Sequence, residues 1–313
     1  MPQPLKPPAL HPGDAVRILS ISSPVEESRL RRGSDELARL GYFPKCDQAA
    51  ALARDGFFAG SASARLAALK AALSESETRA VFCARGGYGS NYLLDTLSVA
   101  LATPKIFSGF SDVTSLHIFL WQKFRWVTFY GPMVASGLDH GAGAPHGYEP
   151  ASLKNALTQS RQGWTLDLAA ETLSPGAAEG ALLGGCLTLV ETSLGTPWEL
   201  DTSGALLLLE DRGMKPWQID RALMHLKQAG KFRSVSGILM GDFPDCEPPE
   251  GSESARDVAR RILSPLGIPV VWGAPVGHTA RPMLTLPLGV RARLTAGDGA
   301  SPPKLEILEP AVS

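Results

Sequence analysis

No run of about 18 apolar residues, the length a helix needs to cross a bilayer core, occurs in this chain, so no membrane-spanning helix and no membrane partner are expected. Neither sign of charge is in excess. Thirty basic and 31 acidic residues leave a net charge of −1, and no long like-charge run forms a tail. A nucleic-acid-binding surface is therefore not expected. Cysteine is scarce: Cys46, Cys83, Cys186 and Cys246 stand far apart and form no C-x-x-C pair. Cys83 and Cys186 lie in apolar surroundings and read as small buried hydrophobes. A reducing, cytoplasmic setting is the expectation. The first twelve residues are proline-rich with no apolar core run, so no signal peptide is expected. Internal repeats and low-complexity tracts are absent.

What is present is an ordinary globular composition, 44% hydrophobic with a mean hydropathy of +0.01. A chain of 313 residues implies one large or two medium domains. A continuous β-branched and apolar run at 15–21 reads as a buried strand, and 42–46, 80–83, 105–108 and 127–132 read as further strands. Helix patterns at 26–40, 62–73, 91–97 and after residue 111 alternate with them. That alternation implies an α/β fold with a doubly wound parallel sheet, flavodoxin-like in class. The second half differs. Strands are expected at 205–210, 235–240 and 269–272, and helices at 186–194, 216–229 and 254–263. The tail, 283–308, alternates apolar and polar residues as antiparallel strands do. A mixed β/α domain over 178–313 is therefore expected after an N-terminal domain over 1–160. The stretch 171–180 is small and polar, and 161–177 reads as the connection between the two domains.

Three strand ends carry chemistry. Ser111 sits in Gly109-Phe110-Ser111-Asp112, between an apolar run and a helix. A serine on a sharp strand-to-helix turn exposes its hydroxyl beside the first helical N–H groups. The same residues also suit an ordinary helix cap. Glu210 ends Leu206-Leu207-Leu208-Leu209. A carboxylate leaving an apolar strand is partly desolvated and needs a charged or N–H partner; Arg212 or a histidine could serve. Of six histidines, His278 alone directly follows a strand and a glycine, where α/β layers gather their sites. It reads either as a base or as a turn residue satisfied by backbone. His117 and His225 fall inside helix patterns and read as packing or surface residues. A serine needs a base to take its proton, and the base works best with a carboxylate fixing its tautomer. The loop Arg85-Gly86-Gly87-Tyr88-Gly89-Ser90 lacks both G-x-G-x-x-G spacing and a P-loop lysine. Supplying an oxyanion N–H from Gly86 or Gly87, with the N–H of Asp112 as the second donor, suits it better than phosphate binding. Arg85 is a candidate fork for a substrate carboxylate or a structural ion-pair member.

Taken in order, Arg85-Gly86-Gly87-Tyr88-Gly89, Gly109-Phe110-Ser111-Asp112-Val113-Thr114, Tyr130-Gly131-Pro132-Met133, Gly184-Gly185-Cys186-Leu187-Thr188-Leu189, Leu209-Glu210-Asp211 with Ile219-Asp220-Arg221, and Gly277-His278-Thr279 with Leu284-Thr285-Leu286-Pro287-Leu288-Gly289 resemble the LD-carboxypeptidases. That serine peptidase family also contains the microcin C immunity proteins. The resemblance covers residues 12–290. It implies a catalytic Ser111–Glu210–His278 triad, a nucleophile domain followed by a domain carrying Glu and His, a small muropeptide-like substrate, a homodimer, and no metal or other cofactor. The chain departs from the family pattern at Met214, where a second acid is usual, and at Pro216-Trp217, where Pro-Tyr is usual. Met214 and Trp217 are therefore expected to alter substrate preference. A muropeptide L,D-bond is the first expected substrate. An aminoacyl-nucleotide amide, with Trp217 stacking on the base, is the second. A catalytically silent binding protein is the third.

Overall fold

A computed structural model describes residues 3–97, 103–158, 161–297 and 301–313. Among them run β1 (Ala15–Leu19), β2 (Phe43–Cys46), β3 (Ala80–Cys83), β4 (Ile106–Gly109), β5 (Thr128–Tyr130), β6 (Trp164–Asp167), β7 (Glu171–Ser174), β8 (Gly176–Cys186), β9 (Ala205–Glu210), β10 (Gly237–Gly241), β11 (Val270–Ala274), β12 (Leu286–Leu288), β13 (Arg291–Ala296) and β14 (Lys304–Ile307).

The first sheet has the order β12-β5-β4-β3-β1-β2. Strands β1 to β5 pair in parallel. Their order 2-1-3-4-5 is the flavodoxin-like doubly wound arrangement, whose ligand site lies beyond the carboxyl ends of the strands. Strand β12 closes the edge antiparallel to β5, so the tail returns to the first sheet. The second sheet has the order β6-β14-β13-β8-β9-β10-β11-β7. Its centre, β8 to β11, is parallel, and antiparallel strands flank it. Two layers of α/β structure therefore meet, as the sequence pattern implied.

Strand β9 explains how Glu210 reaches the interior. Its alternate residues Leu206 and Leu208 face one hydrophobic cluster, while Leu207 and Leu209 face the other. A strand buried on both faces has no polar side, which is why it reads as a continuous apolar run. The chain leaves that strand at Glu210, fully buried.

Two expectations need correction. Residues 161–177 are not a free connection, because β6 and β7 lie there at opposite edges of the second sheet. Their backbones are paired by remote strands, β14 and β11. Each strand is only four residues long and pairs with a partner far along the chain, so local composition does not reveal the pairing. The expected boundary at residue 160 lies outside the described residues. The stretch 180–185, ahead of the helix expected at 186–194, belongs to β8. A Cβ on Gly184 would come within 2.1 Å of the Leu208 carbonyl oxygen, so here glycine serves close strand approach.

Candidate active site

Ser111 stands between β4 and a helix, Thr114–Phe124, with a short turn, Ser111–Val113, at the join. The backbone turns sharply: Phe110 is extended and Ser111 has φ of 63°. A non-glycine residue in the left-handed region stores strain, and such positions cluster at functional sites. Neighbours hold it there. Gly86 passes so close that an added Cβ would meet the Ser111 Cβ at 2.9 Å. The buried Asp112 carboxylate accepts from the Ser22 hydroxyl at 2.6 Å and the Ser90 N–H at 2.8 Å. The Ser90 hydroxyl donates back to the Asp112 carbonyl at 2.7 Å. This network ties the turn to the glycine-rich loop. His117, one helical turn on, donates from Nε2 to the Gly109 carbonyl at 2.9 Å. Burial lowers its pKa to about 4, so it is a neutral packing residue, as its helix position suggested.

Glu210 and His278 come from different strand ends of the second sheet. One Glu210 oxygen, Oε2, accepts from His278 Nδ1–H at 2.9 Å and from the His278 backbone N–H at 2.8 Å. The other, Oε1, accepts from the Tyr130 hydroxyl at 2.5 Å. Three donors thus satisfy a carboxylate with no exposed surface. Gly277 is required by this packing. Its φ is 67°, and a Cβ there would lie 2.3 Å from the Glu210 carboxyl carbon. Burial disfavours the His278 imidazolium, but the adjacent Glu210 charge and hydrogen bond outweigh it and raise the pKa above its ordinary value. With Nδ1 donating to Glu210, Nε2 is left as the free ring nitrogen. The His278 ring meets the Phe110 ring edge-on at 5.2 Å, one residue from Ser111.

Ser111 and His278 line one cleft of about 820 Å³, at the upper end of the usual ligand-pocket range. Arg85, Gly86 and Gly87 line it too. Arg85 is exposed there, with one guanidinium nitrogen donating to the Pro24 carbonyl at 2.9 Å. Asp112 is buried behind the wall. Neither Met214 nor Trp217 lines this cleft, but Met214 Sδ stands 3.8 Å from the hydroxyl of Thr188, which does. Met214 packs on the second hydrophobic cluster. Trp217 is 58% exposed, and Arg221 covers its ring at 5.2 Å.

Sequence reasoning gave no role to several residues found here. Tyr130 joins Ser111 to Glu210: its hydroxyl accepts the Ser111 N–H at 3.4 Å and donates to the carboxylate. Asp211 takes the Cys186 thiol at 3.3 Å, the Thr188 N–H at 2.9 Å and the Thr188 hydroxyl at 2.7 Å, fixing the end of β8 against the end of β9. Arg29, which also lines the cleft, pairs with buried Asp139 at 2.7 Å. The available signal was position, since Tyr130, Cys186 and Asp211 all fall at or just past carboxyl ends of parallel strands. Among the described residues, no group of three or more His, Cys, Asp or Glu side chains is arranged to hold a metal ion.

Comparison with known proteins places these features in context. Residues 16–131 match the LD-carboxypeptidase N-terminal domain, and residues 179–294 match the LD-carboxypeptidase C-terminal domain. A probable murein peptide carboxypeptidase of Bacillus subtilis (strain 168) is 36% identical, covering 98% of this chain and 95% of its own length. The solved structure of the protein MccF in complex with glutamyl sulfamoyl guanosine is similar with a TM-score of 0.87 and 25% identity, over 99% of this chain and 100% of that one. The muramoyltetrapeptide carboxypeptidase from Oxalobacter formigenes is similar with a TM-score of 0.82 and 28% identity, over 95% and 99%.

Proposed function

This chain belongs to the LD-carboxypeptidase family and is a serine-type carboxypeptidase; from that premise we propose that it releases a terminal D-amino acid, D-alanine, from cell-wall muropeptides by hydrolysing an L,D-peptide bond. The observation that carries the reading is the buried His278–Glu210 pair, with its free Nε2, in the same cleft as Ser111 on its left-handed turn. The name of the Bacillus subtilis relative supports a murein peptide as the substrate class.

In this mechanism Ser111 Oγ attacks the carbonyl carbon of the L,D-bond. His278 Nε2 takes the hydroxyl proton, and the positive charge that forms on the ring is stabilised by Glu210. The tetrahedral oxyanion is held by the backbone N–H of Asp112 and an N–H of the Gly86-Gly87 pair. His278 then gives its proton to the leaving amine of the D-amino acid. A water molecule, deprotonated by His278, hydrolyses the acyl-enzyme and restores Ser111. Arg85 meets the terminal carboxylate of the substrate, the one negative charge every carboxypeptidase substrate carries beside the scissile bond. Peptidoglycan recycling is the setting in which such a substrate arises, and the enzyme works as a homodimer.

The test is direct. Purified chain is incubated with an L-Ala-γ-D-Glu-diaminopimelate-D-Ala tetrapeptide, and free D-alanine is measured before and after treatment with a fluorophosphonate. Release that the reagent does not block overturns the serine mechanism.

A second reading, hydrolysis of the amide between an amino acid and a nucleotide, is favoured by the likeness to MccF with its bound glutamyl sulfamoyl guanosine. The open cleft of about 820 Å³ has room for such a ligand. Trp217, the base-stacking partner expected from sequence, is exposed and does not line that cleft. Offering both substrates in one competition assay separates the two readings by their kcat/KM ratio.

A further inference from the structure

The proposed triad comes from both sheets. Ser111 follows β4 of the first, while Glu210 and His278 follow β9 and β11 of the second. Something must hold the acid and the nucleophile in one register, since the base works only if both are placed. Among the described residues, one side chain is hydrogen-bonded to both. Tyr130 ends β5, the neighbour of β4, and is completely buried. Its hydroxyl accepts the Ser111 N–H at 3.4 Å and donates to Glu210 Oε1 at 2.5 Å. The hydrogen bonds therefore run without a break from Ser111 through Tyr130 and Glu210 to His278. The ring is clamped from both sides. Phe110 meets it edge-on at 6.3 Å, His117 lies at 5.8 Å, and a Cβ on Gly185 would strike it at 2.8 Å.

Resting on the triad reading above, we propose that Tyr130 is a positioning residue of the catalytic machinery: its hydroxyl aims Glu210 at His278 and seats the Ser111 turn, and so sets how strongly the carboxylate holds the protonated imidazole. The hydroxyl acts only as a donor toward the carboxylate. Burial and the Glu210 charge keep the phenol well above its ordinary pKa, so it stays protonated. A donor on Oε1 draws charge away from Oε2. Its loss leaves more charge facing His278, which favours the imidazolium. Its strengthening does the reverse.

Two variants of the full chain test this. Tyr130→Phe removes only the hydroxyl. Its kcat, normalised to the sites that react with a fluorophosphonate, is expected to fall by on the order of 10²-fold, the cost of a misplaced catalytic group. Its KM is expected to stay within about twofold, since binding residues are untouched. The acid limb of its kcat/KM profile is expected to move to higher pH. Replacing Tyr130 with 3-fluorotyrosine keeps the shape but makes a stronger donor, and the acid limb is expected to move to lower pH. A Phe variant with unchanged normalised kcat and an unchanged acid limb overturns the inference and marks Tyr130 as packing alone. Should the Phe variant fail to fold, the fluorotyrosine protein decides by the same limb: a downward shift supports the role, and no shift overturns it. Wild-type chain that is not labelled at Ser111 fails the triad itself, a separate outcome from a labelled, active wild type whose Tyr130 variants behave normally.

Discussion

Both the ring Nδ1–H and the backbone N–H of His278 converge on a single oxygen of Glu210, at 2.9 and 2.8 Å. Two donors from one residue fix the imidazole plane as well as its tautomer, because the carboxylate must satisfy both at once. A solvent-facing pair would not gain this rigidity, but Glu210 has no exposed surface and cannot turn to water.

Replacing Ser111 with alanine removes the proposed nucleophile and little else. Turnover is expected to fall on the order of 10⁴-fold or more, as for other members of such constellations. The fold is expected to survive, since alanine keeps the same Cβ at φ of 63° and only the hydroxyl is lost. D-Alanine release and far-UV circular dichroism on the same sample check both halves; a variant that retains full activity removes Ser111 from the mechanism.

Glu210→Gln tests the acid separately. The amide keeps the shape but presents an NH₂ group either to the Tyr130 hydroxyl or to the two His278 donors. The tautomer of His278 is then no longer dictated, and kcat is expected to drop by about 10⁴-fold, as when the orienting acid of a serine triad becomes an amide. Active-site labelling kinetics read this directly.

Gly277→Ala is expected to be damaging although it adds one methyl group. The new Cβ would lie 2.3 Å from the Glu210 carboxyl carbon, and φ of 67° is unfavourable for alanine. The backbone strain alone amounts to roughly 1–3 kcal/mol. Chemical denaturation is expected to show a lower midpoint, and kcat should fall because the carboxylate must move.

The pH dependence follows from His278, whose pKa is raised above 6.5 in the folded chain by Glu210. The base must be neutral to act, so kcat/KM is expected to rise with pH through a limb centred above 6.5. Stability runs the other way. A raised folded pKa adds stability that is complete below the unfolded value and lost as pH rises through the folded value. A profile of kcat/KM beside thermal midpoints from pH 5 to 9 reads both; an acid limb below the ordinary histidine value contradicts the assignment.

Arg85→Ala is expected to raise KM by about 10- to 100-fold, the worth of a charged hydrogen bond of about 1.5–3 kcal/mol. The effect should vanish for a peptide whose terminal carboxylate is capped as an amide. Equal losses on both peptides assign Arg85 to the loop's structure through its bond to Pro24.

Much of this protein was legible from local pattern. Continuous apolar runs gave β1, β3, β4 and β9, because a strand buried on both faces has no polar period to hide it. Ser111, Glu210 and His278 were visible as polar residues at the ends of such strands. Edge strands β6 and β7 were not legible, since their pairing lies in partners far along the chain. Met214 and Trp217 were singled out by departure from a family pattern; the fold packs Met214 on the second hydrophobic cluster and leaves Trp217 exposed.

The sequence by itself determined the alternating α/β architecture and the residue types at three strand ends, because periodicity and turn chemistry act over a few neighbours. Only the tertiary structure decided that Glu210 meets His278, that both approach the Ser111 turn, and that Tyr130 bridges the two sheets. Those relationships join residues 68 and 80 positions apart. They exist only because two buried sheets pack closely enough to leave a carboxylate no partner but these.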